Sequence, residues 1–178
     1  QILDDLKGFM SPLQRRMLKE LLQHLDELNV HIENLNDEID NFMKPEEKQA
    51  SQMIQDVTGI GNTSAQAIIA VIGTDMERFP SDRHISSWAG LCPGDNISAK
   101  KRKGGKIRKG NALLKSTLVL CAHAAVRHKS SYFHAQFKRI STHRGKKRAY
   151  VAVAHSILIA IYHIRKAGVK YQDHGAEH

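Results

Sequence analysis

Acidic residues are missing from most of the second half of this chain of 178 residues: none lies between Asp95 and Asp173. Residues 57–178 hold 21 Lys or Arg against 6 Asp or Glu, whereas residues 1–56 hold 6 against 12. The six acids of the longer part are Asp75, Glu77, Asp82, Asp95, Asp173 and Glu177. They are too few for a self-sufficient two-metal phosphoryl-transfer site. Cysteine is scarce as well. Cys92 and Cys121 lack C-x-x-C spacing, which argues against a metal site or disulfide framework and for a reducing cytoplasm. Aromatics make up 6% of a chain that is 41% hydrophobic, which suits helices packed through aliphatic side chains. No apolar run reaches the roughly 18 residues that span a bilayer, and no signal peptide opens the chain. The start is mid-pattern and without Met, so a fragment of a longer protein is expected. There is no Walker A loop, G-x-S-x-G elbow or H-E-x-x-H pair. His155 and His163 have no Cys or carboxylate beside them in the sequence, so no metal-ligating residue is assigned.

The positive charge is concentrated in one stretch. Gly90 to Asn111 is broken from its neighbours by Gly and Pro and reads as a loop with short extended pieces. Seven of the ten residues from Lys100 to Lys109 are Lys or Arg, and Ser98 stands at the front edge of that charge. One reading is a solvated basic loop. The other is a loop that closes on a nucleic-acid phosphate and offers it a hydroxyl. Nucleic acid is the expected partner, because each phosphate neutralised by Lys or Arg releases counterions.

Before the loop, residues 11–44 read as one long helix, with Ser11 as cap, Pro12 in its first turn and Pro45 as its stop. Leu18, Leu21, Leu25, Leu28, Ile32, Leu35, Ile39 and Phe42 alternate spacings of three and four. This heptad seam predicts a coiled coil that joins protomers through residues 18–42, with an intramolecular hairpin as the alternative. Next, Gln49 to Val57 reads as a short helix. Val57-Thr58-Gly59-Ile60-Gly61-Asn62-Thr63-Ser64-Ala65 then forms a tight turn, and Asn62, Thr63 or Ser64 is expected to cap an apolar helix. This resembles a helix-hairpin-helix motif, whose amides and helix N-terminus face a phosphate. An ordinary helix pair is the alternative. Phe79 and Trp88 are expected in the core, and Ser81 is expected to cap a short helix.

Beyond the loop, Asn111 is expected to cap a helix to about Arg127. Its apolar stripe is Leu113, Leu114, Thr117, Leu118, Cys121, Ala122 and Ala125. Ser130 or Ser131 starts another helix, with Tyr132, Phe133, Phe137 and Ile140 inward. His143 to Arg148 reads as a second basic turn, and about Lys146 to Ala167 as the central core helix, closed by Gly168. The tail from Tyr171 looks frayed. The predicted fold is all-α: a coiled-coil arm (1–48), a compact helical domain (49–172) and a tail (173–178).

Four stretches in order carry a family resemblance: the Val57–Ala65 turn, Ile-Gly-Thr-Asp…Arg-Phe, Trp-Ala-Gly-Leu-Cys-Pro-Gly, and Asn96 to Asn111. Together they resemble the C-terminal half of the DEDD transposases of insertion sequences related to the Piv invertases, a family of bridge-RNA-guided recombinases. Departures from this family are Ile97 where Glu is common and Lys100 where a small Gly is frequent; Thr58, where Pro is frequent, departs from the helix-hairpin-helix motif. The resemblance implies a prokaryotic, nucleoid-associated protein of the cytoplasm that recombines DNA, with a guide RNA as a further partner. It implies that Ser98 is the nucleophile of a covalent DNA intermediate. It also implies that Mg²⁺ is held by four acids of an N-terminal domain absent from this sequence, with no cofactor in this part. Lys101, Arg102, Lys103, Lys106, Arg108 and Lys109 would hold phosphates, and Gly59, Gly61, Asn62 and Thr63 would contact a backbone through the turn. A non-catalytic, dimeric nucleic-acid-binding module is the alternative; it uses the same basic residues and differs at Ser98.

Overall fold

The computed structural model describes residues 10–92, 97–98, 101–102, 110–173 and 175, the two short pairs through their backbone only. Among the described residues the architecture is all-helical, with seven helices and one two-residue antiparallel ladder. The chain divides into two units, Gln1–Met43 and Lys44–His178.

The first unit is built on α1 (Pro12–Phe42), a helix of 31 residues and about 46 Å. Ser11 and Gln14 cap it reciprocally: the Gln14 amide donates to Ser11 Oγ and the Ser11 amide to Gln14 Oε1. Met43 and Lys44 turn extended ahead of Pro45, as a residue preceding proline must. No residue of α1 is buried; along the seam Leu18 is half-buried and the other residues are exposed, from 43% at Ile39 to 89% at Phe42.

The second unit starts at once. Pro45 stops α1 and also occupies the first turn of α2 (Pro45–Gln55), so this helix begins four residues before the expected Gln49. Glu46 and Glu47 sit at its positive end, and Glu47 accepts the Lys44 amide at 2.9 Å. A tight turn leads to α3 (Asn62–Ile72), followed by α4 (Asp82–Trp88), the basic loop, α5 (Ala112–Ala125), α6 (Tyr132–Arg144) and α7 (Lys146–Ala167). The core forms around α7, against which α2, α4, α5 and α6 all pack. Its Val153, Ile157, Leu158 and Ile161 are wholly buried, as are Ile54, Ile68, Ile85, Leu114 and Leu118 on the other helices. Each such side chain contributes about 1.5–3 kcal/mol. Two polar anchors join α7 to the connector before α4: Tyr162 Oη donates to the Phe79 carbonyl at 3.1 Å, and Arg165 donates to that of Thr74 at 3.2 Å.

Several boundaries differ from the expectations. Gly61, not Asn62, Thr63 or Ser64, is the N-cap of α3; Asn62 is its first residue and accepts from Gln55 Nε2 at 3.3 Å. Leu113 is 58% exposed, because Leu114 and Leu118 already fill the α5 face toward α7. Of the four inward residues expected on α6 only Phe133 is buried; Tyr132, Phe137 and Ile140 are half-buried. Trp88 is 39% exposed, since Ile85 takes the core position on α4 and Phe79 covers only one side of the indole, at 5.4 Å. The tail does not fray at Tyr171: its ring stacks on Phe133 at 6.3 Å, and Asp173 is hydrogen-bonded on both oxygens.

Candidate nucleic-acid interface

The basic loop is closed at its base. Gly90 leaves α4 at φ +70, with its amide on the Ser87 carbonyl and the Leu91 amide on that of Ser86. At the other end Gly110 lies against the same backbone. A Cβ there would stand 2.3 Å from Gly90 N and 2.4 Å from Ala89 C, so only glycine fits. Asn111 then accepts the Leu114 amide at 2.9 Å and starts α5. The neck is thus fixed between two helices. Within the loop Ile97 pairs with Arg102 and Ser98 with Lys101 in an antiparallel register. Ser98 therefore stands in the backbone register directly across from Lys101, the first of the cations expected to hold phosphates. The side chains of Ser98, Lys101 and Arg102, and the whole of Lys103, Lys106, Arg108 and Lys109, lie outside the described residues. Trp88 sits two residues before the neck with part of its indole in solvent.

The α2–α3 turn belongs to the other end of α5. The Ile60 amide bonds the Val57 carbonyl at 3.0 Å, and Gly59 has φ +93, as the third position of a type II turn requires. A Cβ on Gly59 would meet the Cys121 carbonyl oxygen at 2.5 Å and Ala125 N at 2.6 Å. The α5 backbone thus supplies its own reason for glycine here. Gly61 has nothing within 4 Å of a Cβ, and Gly61, Asn62 and Thr63 are exposed. With Gly61 as the cap, no side chain caps the first turn of α3. From Asn111 to Cys121 and Ala125 is about 15–20 Å along the helix. The loop and the turn are therefore two places at opposite ends of α5.

Sequence reading missed one residue at the turn. Asp173 Oδ2 accepts from Thr58 Oγ1 at 3.2 Å, and Oδ1 accepts the Tyr132 amide at the start of α6 at 3.0 Å. Nothing in the local sequence signals a contact spanning 115 positions. The same cluster pushes the Tyr171 phenol up to about 12, first through burial and then through the Asp173 charge. Burial also raises the Cys121 thiol, which fits a packing residue rather than a nucleophile. The second basic turn is the α6–α7 corner: Gly145 at φ +80 between His143-Arg144 and Lys146-Lys147-Arg148, all exposed. Among the described residues no group of three or more His, Cys, Asp or Glu could hold a metal ion, and no helix is long and apolar enough to cross a membrane.

Residues 51–138 match the family described as Transposase IS116/IS110/IS902. This stretch is similar to the transposase domain of that family. The match runs from α2 through the turn, the basic loop and α5 to α6, and so takes in both candidate sites. Over 107 residues the chain is 32% identical to the transposase for insertion sequence element IS1111A of Coxiella burnetii, covering 58% of this chain and 29% of that protein. Over 131 residues it is 26% identical to the insertion element IS110 uncharacterized 43.6 kDa protein of Streptomyces coelicolor, covering 71% and 31% respectively. The chain spans under a third of the length of these curated relatives.

Proposed function

We propose that this chain is the DNA-binding and strand-joining part of a DEDD-type transposase that moves insertion-sequence DNA by recombination. Ser98 is its nucleophile. Ser98 Oγ attacks a backbone phosphorus; the Oγ–P bond forms as the bond from phosphorus to a deoxyribose oxygen breaks. The serine proton leaves to a base that this sequence does not supply, and the released sugar oxygen is protonated. Lys101, Arg102, Lys103, Lys106, Arg108 and Lys109 neutralise the phosphate oxygens, whose charge grows in the transition state. The observation that carries this reading is the closed neck. Gly110 against Ala89 and Gly90 brings together the two ends of the cation-rich stretch, with Ser98 in register with Lys101.

The described acids of the compact unit do not fit a metal. Asp75 accepts the Glu77 amide and Asp173 is engaged by Thr58 and Tyr132. Mg²⁺ belongs in this proposal to acids outside this sequence, and no step here runs through it. The exposed first turn of α3, with Gly61, Asn62 and Thr63 on a turn built by Gly59, holds a further phosphate of the DNA or of a guide RNA. Residues 18–42 join protomers through the exposed seam of α1.

The test uses a full-length protein that contains this chain, with the DNA ends of its element, Mg²⁺ and any RNA encoded beside it. A protein–DNA adduct that survives a denaturing gel and is lost in Ser98→Ala is the expected result. An adduct in both proteins places the nucleophile elsewhere. Salt-sensitive binding without an adduct in either favours the binding-module reading.

A further inference from the structure

The turn end of α5 carries a second concentration of positive charge outside the basic loop. From Arg127 to Arg148 there are eight Lys or Arg and no acid. Ala135, Lys138, Arg139 and Thr142 follow one another at helical spacings of three, one and three, so they share one face of α6. At that spacing a helix ordinarily presents an apolar stripe to a core. Here the core side is supplied by Phe133, which is buried, and by Phe137, whose ring lies 4.5 Å from that of Tyr150 on α7. The Lys138 face is turned away from the core, with Lys138, Arg139 and Thr142 exposed.

This face is concave. Lys129, His134, Ala135, Lys138, Arg139 and Thr142 line a groove of about 490 Å³. Ala135 leaves the space that a longer side chain would fill. His134 is held in place: its Nδ1 lies 2.7 Å from the Val126 carbonyl, which can only accept. That fixes Nδ1–H as the donor and leaves Nε2 for other partners. Thr142 Oγ1 donates to the Lys138 carbonyl at 2.8 Å. Among the described residues no carboxylate lies within salt-bridge distance of Lys129, Lys138 or Arg139. The carboxylate of the neighbouring tail, Asp173, is engaged by Thr58 and by the Tyr132 amide.

The groove also has a defined place. Ala125 touches Gly59 of the α2–α3 turn, and the next residue, Val126, holds His134 of the groove. Turn and groove therefore share the C-terminal end of α5, while the basic loop is at its N-terminal end. The helix α6, about 20 Å long, matches some six steps of a duplex strand at about 3.4 Å each. No Phe, Tyr or Trp lines the groove, which offers charge, a hydroxyl and the His134 imidazole.

We infer that the α6 groove is a second site for the sugar–phosphate backbone of a nucleic acid, contacted by Lys129, Lys138 and Arg139 independently of the basic loop. It reads charge and spacing, not bases. The inference rests on the transposase reading only in taking nucleic acid as the partner. The site lies at the opposite end of α5 from the neck of the basic loop, so it positions a backbone that is not the one being attacked, or a distant stretch of the same strand.

The experiment measures anisotropy of a fluorescent 30-base-pair DNA duplex of arbitrary sequence with the whole chain, between 50 and 300 mM KCl. A parallel arm uses an RNA duplex of the same sequence. Wild type is compared with the groove variant Lys129→Gln/Lys138→Gln/Arg139→Gln and with the loop variant Lys101→Gln/Arg102→Gln/Lys103→Gln. All three groove changes are at the surface and should leave the helical circular dichroism and melting unchanged. In the groove variant the slope of log K against log salt should fall by about 2–3, from about 0.9 for each phosphate lost. The loss should add to that of the loop variant. A loss in the DNA arm alone assigns the groove to DNA, and in the RNA arm alone to RNA. A groove variant with the wild-type slope, while the loop variant is weakened, overturns the second site and leaves the transposase reading standing. A wild-type chain whose binding ignores salt removes both.

Discussion

The same spacing of Leu and Ile has opposite outcomes in the two units. On α7, Ile157, Leu158 and Ile161 are 0% exposed, whereas on α1 Ile32 is 52% and Leu35 57% exposed. Both stripes repeat at three and four. Periodicity identifies a face; whether this chain covers it depends on which other elements reach it. Four helices pack against α7, and no residue of α1 is buried. The largest predicted effect follows. Leu158→Ala should destabilise the compact unit by about 2–5 kcal/mol through lost transfer energy and a residual cavity. Leu28→Ala in α1 should leave the melting of that unit unchanged and instead lower the mass in solution. Thermal unfolding beside sedimentation separates the two, and an equal loss of melting temperature in both variants would break the comparison.

Gly59 and Gly61 sharpen it at the scale of two residues. Gly59→Ala places a Cβ 2.5 Å from the Cys121 carbonyl at φ +93. Backbone strain and overpacking each cost about 1–3 kcal/mol, so a loss of about 2–4 kcal/mol is expected. At Gly61, with φ −98 and open space, Gly61→Ser adds a hydroxyl cap to α3 and should gain a few tenths of a kcal/mol. Denaturant midpoints for both variants decide it. A neutral Gly59→Ala would mean that the turn is not seated on α5.

The helices were legible because their punctuation is local. Ser11, Asn111 and Ser131 cap where hydrogen-bonding side chains precede apolar runs, and Gly168 closes α7 in the left-handed conformation. The all-helical architecture and the place of the basic loop follow from the same signals. What was not legible depends on contacts far apart in the chain. The exposure of Leu113 depends on how little of α5 faces α7. The order at Tyr171 depends on Phe133, and the engagement of Asp173 on Thr58 and Tyr132. The charges of the α6 groove were visible as an acid-free run. Their concavity was not, because it needs the Val126 carbonyl to fix His134 and Ala135 to leave room.

Asp173 gives the next prediction, since it ties the tail to the turn. Its bonds to Thr58, the Tyr132 amide and the Gly175 amide are exposed, so Asp173→Ala should cost about 1–2 kcal/mol rather than the full value of a buried charged bond. Amide exchange at Tyr132 should accelerate in the variant. Unchanged exchange there would mean that the strap does not hold in solution.

The smallest effect comes from His155 of α7. Burial lowers its pKa below the ordinary value of 6.5, with the Asp82 charge opposing. The folded chain therefore holds the His155 proton less tightly than the unfolded chain does. Below about 6.5 the unfolded state takes up the proton first. Stability is full above that value and declines as the pH falls through 6.5 toward the depressed folded value. The melting temperature should drop between pH 7.5 and 5, and His155→Gln should flatten part of that drop. If the variant follows the wild-type curve, the acid sensitivity comes from other groups and the half-buried place of His155 has no energetic consequence.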